Sequence, residues 1–395
     1  MTTTPDTADS IDFPLVAGGF DELLTRRITN SETQFAIRLT RVVVLVAVTW
    51  IPLLLLSLAS GHAVSGRVDV PLLHDPALYG RFLFVLPVLE LAEVVVALSL
   101  IVQVRHFIQS AIIPEQERTR FIAAVNEVIR IRVSIYAELA IAALAWGISI
   151  TMRLIIMRGE ASSWEHLDSS ITPAGWWYAL VSLPVLLFFL IRWLFIFSLW
   201  ALFLFRVSRL DLRLTPTHPD HAGGLGFLGW GLASFASVLM AVSAVISAGF
   251  AYEILHGHES LDRLKYHVIV FVILAIIVIH MPLLAFAGGL SRLRFRGLLN
   301  YSRLVLRHDR AFDEKWIENP QPATKASEPL LGSSDVQSLA DIATAYNHVD
   351  DMWLIPFDLK GFAVLVVSAL LPMVPLIATV IPLNEILPKL LELLL

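Results

Sequence analysis

The sequence predicts an all-α fold, a polytopic transmembrane helix bundle of about seven spans with amphipathic helices on one side. Three observations carry that reading. Of 395 residues, 56% are hydrophobic and only 16% charged, whereas an ordinary soluble domain carries roughly 25% charged residues; mean hydropathy is +0.72. Seven apolar runs reach the roughly 20 residues needed to cross the hydrocarbon of a bilayer. The 29 Lys and Arg residues are divided unevenly between alternate connections.

Residues 1–41 are polar and hold Asp6, Asp9, Asp12, Asp21, Glu22 and Glu32 ahead of any apolar run. That does not resemble a cleavable signal peptide, so the first membrane helix is expected to serve as the uncleaved targeting signal. A stripe of Leu24, Ile28, Phe35 and Leu39 marks an amphipathic helix leading into the bundle. The apolar runs follow at 42–61, 82–104, 134–152, 176–205, 222–252, 268–290 and 361–384. They divide the chain into an N-terminal segment (1–41), a six-helix bundle (42–290), a connection (291–360) and a seventh helix with its tail (361–395).

Pro114, followed by Glu115, Gln116 and Glu117, reads as a helix start with acids at the positive dipole end. The third helix is expected to run from there through Met157, about 65 Å. Trp164, Trp176, Trp177 and Tyr178 gather near the start of the fourth run, as an interfacial aromatic belt would. Beyond the sixth run, Arg292, Arg296, Arg303, Arg307 and Arg310 fall within an arc of about 60°, opposite Phe295, Leu298, Tyr301, Val305 and Phe312. This describes a basic amphipathic helix on anionic lipid; a solvated face packed on the protein's own helices gives the same pattern. Residues 319–334 have linker composition, and Val336, Leu339, Ala343, Tyr346 and Trp353 form another stripe before the seventh run.

Lys and Arg number 21 on the side of the N-terminus and 7 on the other, and 12 against 7 without the long 291–360 connection. The positive-inside rule then expects a cytoplasmic N-terminus and an external C-terminus in a bacterial-type inner membrane.

Function classes can also be narrowed. There is no cysteine, which removes disulfides, thiolate metal sites and cysteine nucleophiles. The net charge is −5 and the arginines cluster at the ends of apolar runs, which argues against nucleic acid as a partner. No Walker loop, HExxH, GxSxG or EF-hand pattern is present, so a non-enzyme is the expectation and no cofactor is implied. The partners expected are the bilayer and anionic lipid at the cytoplasmic face, with a homo-oligomer left open.

Five ionisable residues lie inside the runs: Glu90, Glu93, Glu138, Arg192 and His280. Glu93, Arg192 and His280 fall within about two residues of the centres of their runs, which predicts one connected midplane layer. Three carboxylates then face one guanidinium, and the excess negative charge must be removed by protons or a cation. A structural network with Arg192 clamped by two carboxylates satisfies this. So does a proton or cation pathway, with Glu93 and Glu138 titrating, Arg192 as counter-charge and His280 as relay; a buried metal or small molecule is the third reading. Pro52, Pro282 and Pro372, near run centres, free carbonyls that ions or neighbouring hydroxyls could satisfy.

The segment Thr215-Pro216-Thr217-His218-Pro219-Asp220-His221-Ala222-Gly223-Gly224-Leu225-Gly226 lies between the fourth and fifth runs. It resembles the HPD-x-AGGL segment of a family of uncharacterised bacterial multi-pass membrane proteins, a likeness that implies no activity. From the residues themselves, Asp220 can cap the following helix, and small residues at Ala222, Gly226, Gly229 and Ala233 suit close helix packing. His218, Asp220 and His221 offer a divalent-metal candidate, and Gly223 and Gly224 near Arg206, Arg209 and Arg213 an anion candidate. The leading functional expectation is a proton- or cation-linked transporter or channel-like protein. A non-catalytic membrane scaffold or sensor, and a membrane-embedded metal-dependent enzyme, are the alternatives.

Overall fold

A computed structural model describes residues 31–64, 68–156, 162–167, 170–256, 261–318 and 333–376. Among them, seven helices are long and apolar enough to cross a membrane. The chain is an all-α polytopic bundle and an integral membrane protein. The helices are α1 (Ser31–Ser60), α2 (Pro76–Gln109), α4 (Ile135–Ile156), α5 (Pro173–Val207), α6 (Gly226–His256), α7 (Leu264–Glu318) and α9 (Leu359–Leu376). Two more, α3 (Glu115–Arg132) and α8 (Ser334–Asp350), lie in connections on the side from which α1 starts, here the N-terminal side. The outer parts of the N-terminal segment, the 319–332 linker and residues 377–395 fall outside the described residues.

Local chemistry sets the helix starts. Asp75 accepts the Ala77 N–H at 2.9 Å with Pro76 in the first turn of α2. Thr172 accepts the Gly175 N–H at 3.0 Å ahead of Pro173 in α5, and Asp358 caps α9 through the Gly361 N–H. Such caps satisfy amides that the helix itself leaves unpaired. Prolines mark departures from regular winding: Pro282 falls in a 3₁₀ turn of α7, and Pro372 in another of α9. At the second, Ser243 and Ser247 of α6 donate to the Ala369 and Pro372 carbonyls, so neighbouring hydroxyls meet the bend.

The third helix is not the single rod expected from the sequence. It breaks at Val133 and Ser134 into α3 and α4, both of which pack on α5. The break lets Arg132 face Glu138 at 3.3 Å. In an unbroken helix, residues six apart lie about 120° apart around the axis and nearly two turns apart along it, too far to pair.

Register across the bundle follows from a few contacts. Ser182 of α5 donates to the Thr49 carbonyl of α1 at 2.7 Å, and Ser149 of α4 donates to the Ala179 carbonyl of α5 at 2.7 Å. Counting along each helix, the start of α4 and Arg38 of α1 both come level with Arg192. From there α2 and α5 continue for about 15 more residues, roughly 23 Å, on the N-terminal side. The extensions pack with α3, while the extended part of α7 lies antiparallel to α8.

The opposite end is closed by a small cap. β1 (His166–Leu167) and β2 (Ser170–Ile171) pair antiparallel, and Trp164 donates its backbone N–H to the Val70 carbonyl at 2.9 Å. Trp164 and Tyr178 do not form an interfacial belt. They are 1% and 5% exposed, edge to face at 5.5 Å, because the Trp164 indole N–H is drawn inward to Asp75 at 3.1 Å. Trp176, 51% exposed, is free to meet an interface.

Candidate functional site

The buried charge layer is built from α1, α2, α5 and the α3–α4 break. Glu93 of α2 is held from two sides, by Arg38 of α1 at 3.2 Å and by Arg192 of α5. One turn away, Glu90 lies 3.8 Å from Arg41 of α1. Arg132 faces Glu138 and counts Arg192 and Glu93 among its electrostatic neighbours, which joins the pair to the same layer.

Four of the five residues singled out inside the runs therefore come together: Glu90, Glu93, Glu138 and Arg192. His280 does not join them. Its Nδ1 is 2.8 Å from the Ile276 carbonyl of its own helix, and its ring lies 5.9 Å from those of Phe357 and Phe362 beside the start of α9.

The charge inventory also differs from the sequence expectation. Arg38, Arg41 and Arg132 enter the layer, so three carboxylates meet four guanidiniums and the negative excess disappears. These arginines lie just outside the hydropathic runs, and hydropathy alone assigns such residues to the interface. Nor is the layer at mid-depth in every helix. It is central in α2 and α5 but lies at the N-terminal-side ends of α1 and α4, where the Arg38 and Arg41 side chains are 23% and 28% exposed.

A second ionic cluster, on the opposite side, has no sequence precursor in hydropathy or motif. Arg153 of α4 pairs with Glu165 of the cap, Arg81 of α2 donates to the Tyr178 hydroxyl at 2.8 Å, and Asp75 lies close enough to act on Glu165. Burial pushes the Glu165 carboxyl up to about 7, against the opposing pull of Arg153. The signal that could have exposed it is the pair Arg81 and Arg153, set inside helix ends facing a loop with its own buried Trp.

The segment 215–226 folds as a tight loop around Asp220. Its carboxylate accepts from the backbone N–H groups of Ala222 at 2.9 Å, Gly224 at 3.1 Å and Gly226 at 2.7 Å, and lies 2.7 Å from His218 Nδ1. Burial raises this carboxyl's pKa, but the backbone N–H groups and His218 together bring it below its ordinary value. Gly223 and Gly224 have φ of 68° and 99°, a conformation that a side chain would strain. The amides that an external anion would need are thus taken by the chain's own carboxylate. Arg206 pairs with Glu127, and Arg209 lies over the Phe205 ring. His221 faces away from Asp220, toward Trp353 and His348. Among the described residues no group of three or more His, Cys, Asp or Glu is positioned to hold a metal ion.

The arginine stripe lies on α7, whose residues 287–313 form one unbroken helix past the membrane segment. Arg292, Arg296, Arg303, Arg307 and Arg310 are all exposed. The opposite side packs on α8: Arg294 meets Asp350, Gly297 abuts Val349, His308 is near Ser338, and Lys315 pairs with Asp335. Phe295 does not share that packed side, and is 65% exposed beside the arginines.

Comparison of the chain with protein-family models, curated proteins and solved structures finds no match.

Proposed function

We propose that this protein is a non-catalytic membrane scaffold or sensor of a bacterial inner membrane, with the charge layer fixing how its helices sit against one another. The observation that supports this best is the bracketing of Glu93 by arginines from two other helices, Arg38 and Arg192. Matched charges of this kind set register, since a slip of either helix leaves a buried ion without its partner. A proton carrier instead needs a group whose charge is left to be balanced by the transported ion.

Proton- or cation-linked transport remains the second reading, on one observation: the partial exposure of Arg38 and Arg41 opens the layer toward the N-terminal side. The experiment that separates the two compares wild-type protein and Glu93→Gln in vesicles, under a proton gradient and under gradients of Na⁺, K⁺ and Mg²⁺. The scaffold reading expects no flux above protein-free vesicles from either protein, together with lowered thermal stability of the variant. Flux through wild type that Glu93→Gln abolishes while the protein stays folded would replace it with transport.

A further inference from the structure

Among the described residues, helix α7 leaves one face unpartnered, and the chemistry of that face is mixed. At about 100° per residue, Arg292, Arg296, Arg303, Arg307 and Arg310 share one arc, and Phe295, Leu299 and Leu306 the adjoining one, opposite the α8 contact. The three apolar side chains are 65%, 46% and 51% exposed. Arg296, Arg303, Arg307 and Arg310 form no side-chain hydrogen bond or ion pair among the described residues. A helix lying flat on lipid must sink its separate apolar side between the headgroups. Here that side, with Gly297 against Val349, is already occupied by α8.

What covers the face must therefore bring both negative charge and apolar side chains. Residues 1–24 carry Asp6, Asp9, Asp12, Asp21 and Glu22 with no Lys or Arg, interspersed with Ile11, Phe13, Leu15, Val16 and Phe20. The 319–332 linker, on the same side, has only Lys325 and Glu328 and offers no such complement. Helix α1 begins and the extension of α7 ends on the same side of the bundle, because six crossings separate them. Thirty residues precede α1, enough to reach roughly 100 Å when extended, so the tether does not limit contact.

We infer that the acidic, apolar N-terminal segment, residues 1–24, docks on the arginine-lined face of α7. The carboxylates meet Arg296, Arg303 and Arg307, and Phe13 and its apolar neighbours cover Phe295, Leu299 and Leu306. The pairing makes the α7–α8 hairpin a surface that the chain itself covers and that a competing anionic surface can uncover. It does not depend on whether the charge layer conducts.

The chain contains no cysteine, so a single introduced pair reports the contact without background. The full-length Phe13→Cys, Leu299→Cys variant, in nanodiscs of neutral phosphatidylcholine, is oxidised and the single-chain crosslinked fraction measured. Docking predicts efficient crosslinking that falls about tenfold when Arg296, Arg303 and Arg307 are changed to Glu. It also predicts recovery when Asp6, Asp9 and Asp12 are then changed to Lys. Because the replaced arginines are exposed, unchanged melting temperature confirms that the variants stay folded. Crosslinking no greater than for Phe13→Cys paired with Lys265→Cys, on the opposite side, would overturn the proposal, as would crosslinking insensitive to charge reversal. A dimer-sized product would assign the face to a second copy instead. Protection of Leu299→Cys from maleimide by phosphatidylglycerol, but not by the N-terminal segment, would assign it to lipid.

Discussion

Glu93 and Arg38, 55 residues apart, meet at 3.2 Å across the α1–α2 interface, and Arg192 closes on the other oxygen of the same carboxylate. The shared acceptor makes the three helices energetically interdependent at one point.

That dependence is measurable. Arg192→Leu leaves Glu93 with one guanidinium and should lower stability by about 2–3 kcal/mol, less than loss of a sole partner would. Glu93→Gln should cost a similar amount, and the double variant less than the sum of the two, since the second change removes the ion that the first left exposed to an apolar surrounding. Thermal unfolding of the four proteins in one detergent checks this. Strict additivity would mean that the two side chains do not interact.

A second prediction concerns α6. A Cβ on Gly229 would lie 2.7 Å from the Pro356 carbonyl oxygen and 2.9 Å from the Asp358 nitrogen, both backbone atoms that cannot swing aside. Gly249, in the same helix, has open space. Gly229→Ala should therefore destabilise by about 1–3 kcal/mol through overpacking, whereas Gly249→Ala should be neutral or slightly stabilising through helix propensity. Melting temperatures moving together would refute the close approach of α6 to the segment ahead of α9.

The third prediction is a pH dependence. Burial pushes the Glu165 carboxyl up to about 7, above the 4.5 of an unperturbed glutamate, with Arg153, Asp75, Arg81 and Tyr178 around it. The folded protein thus binds a proton more tightly than the unfolded chain. This group's contribution is full at pH values below 4.5, declines as pH rises toward 7, and is lost above it. Glu165→Gln should flatten the fall in stability between pH 5 and pH 8, by an amount on the order of 2 kcal/mol. Identical pH profiles for wild type and variant would show that Glu165 does not titrate in that window.

Orientation is the fourth. Reporter fusions at Asn319 should read cytoplasmic and fusions at Leu395 external, following the 21-to-7 distribution of Lys and Arg. A cytoplasmic C-terminal reporter would mean that the chain after α9 turns back.

The bundle itself was legible because length and hydropathy are one-dimensional properties: all seven runs correspond to spanning helices, with ends displaced by a few residues in most. Glu93 and Arg192 could be picked out for the same reason, as charges in apolar runs. Arg38, Arg41 and Arg132 could not, since nothing in a sequence says that a flanking arginine turns inward. The α3–α4 break was hidden because neither Pro nor Gly marks it: the residues around Ser134 are Val133, Ile135 and Tyr136, which a helix tolerates. His280 lies apart because equal depth is not proximity: its rotation about α7 directs it to Phe357 and Phe362. The cap cluster of Asp75, Arg153 and Glu165 was hard to foresee because two separate connections and the end of α4 assemble it.

The unequal reach of the helices past the charge layer bears on the lipid as well as on the protein. On α2, Val95, Leu98 and Val102 stay 54%, 61% and 55% exposed beyond Glu93, so hydrocarbon is wanted there. Beside α4 the apolar span begins at the layer itself, with Ile135 within a few residues of Glu138. A bilayer of uniform thickness cannot match both edges. A leaflet that meets the edge of α4 on the N-terminal side leaves the exposed apolar stretch of α2 uncovered, so the two edges favour different local thicknesses. A surface with such unequal edges favours a step in the thickness of a surrounding bilayer, and mismatch of that kind is a handle by which membranes of different thickness sort proteins.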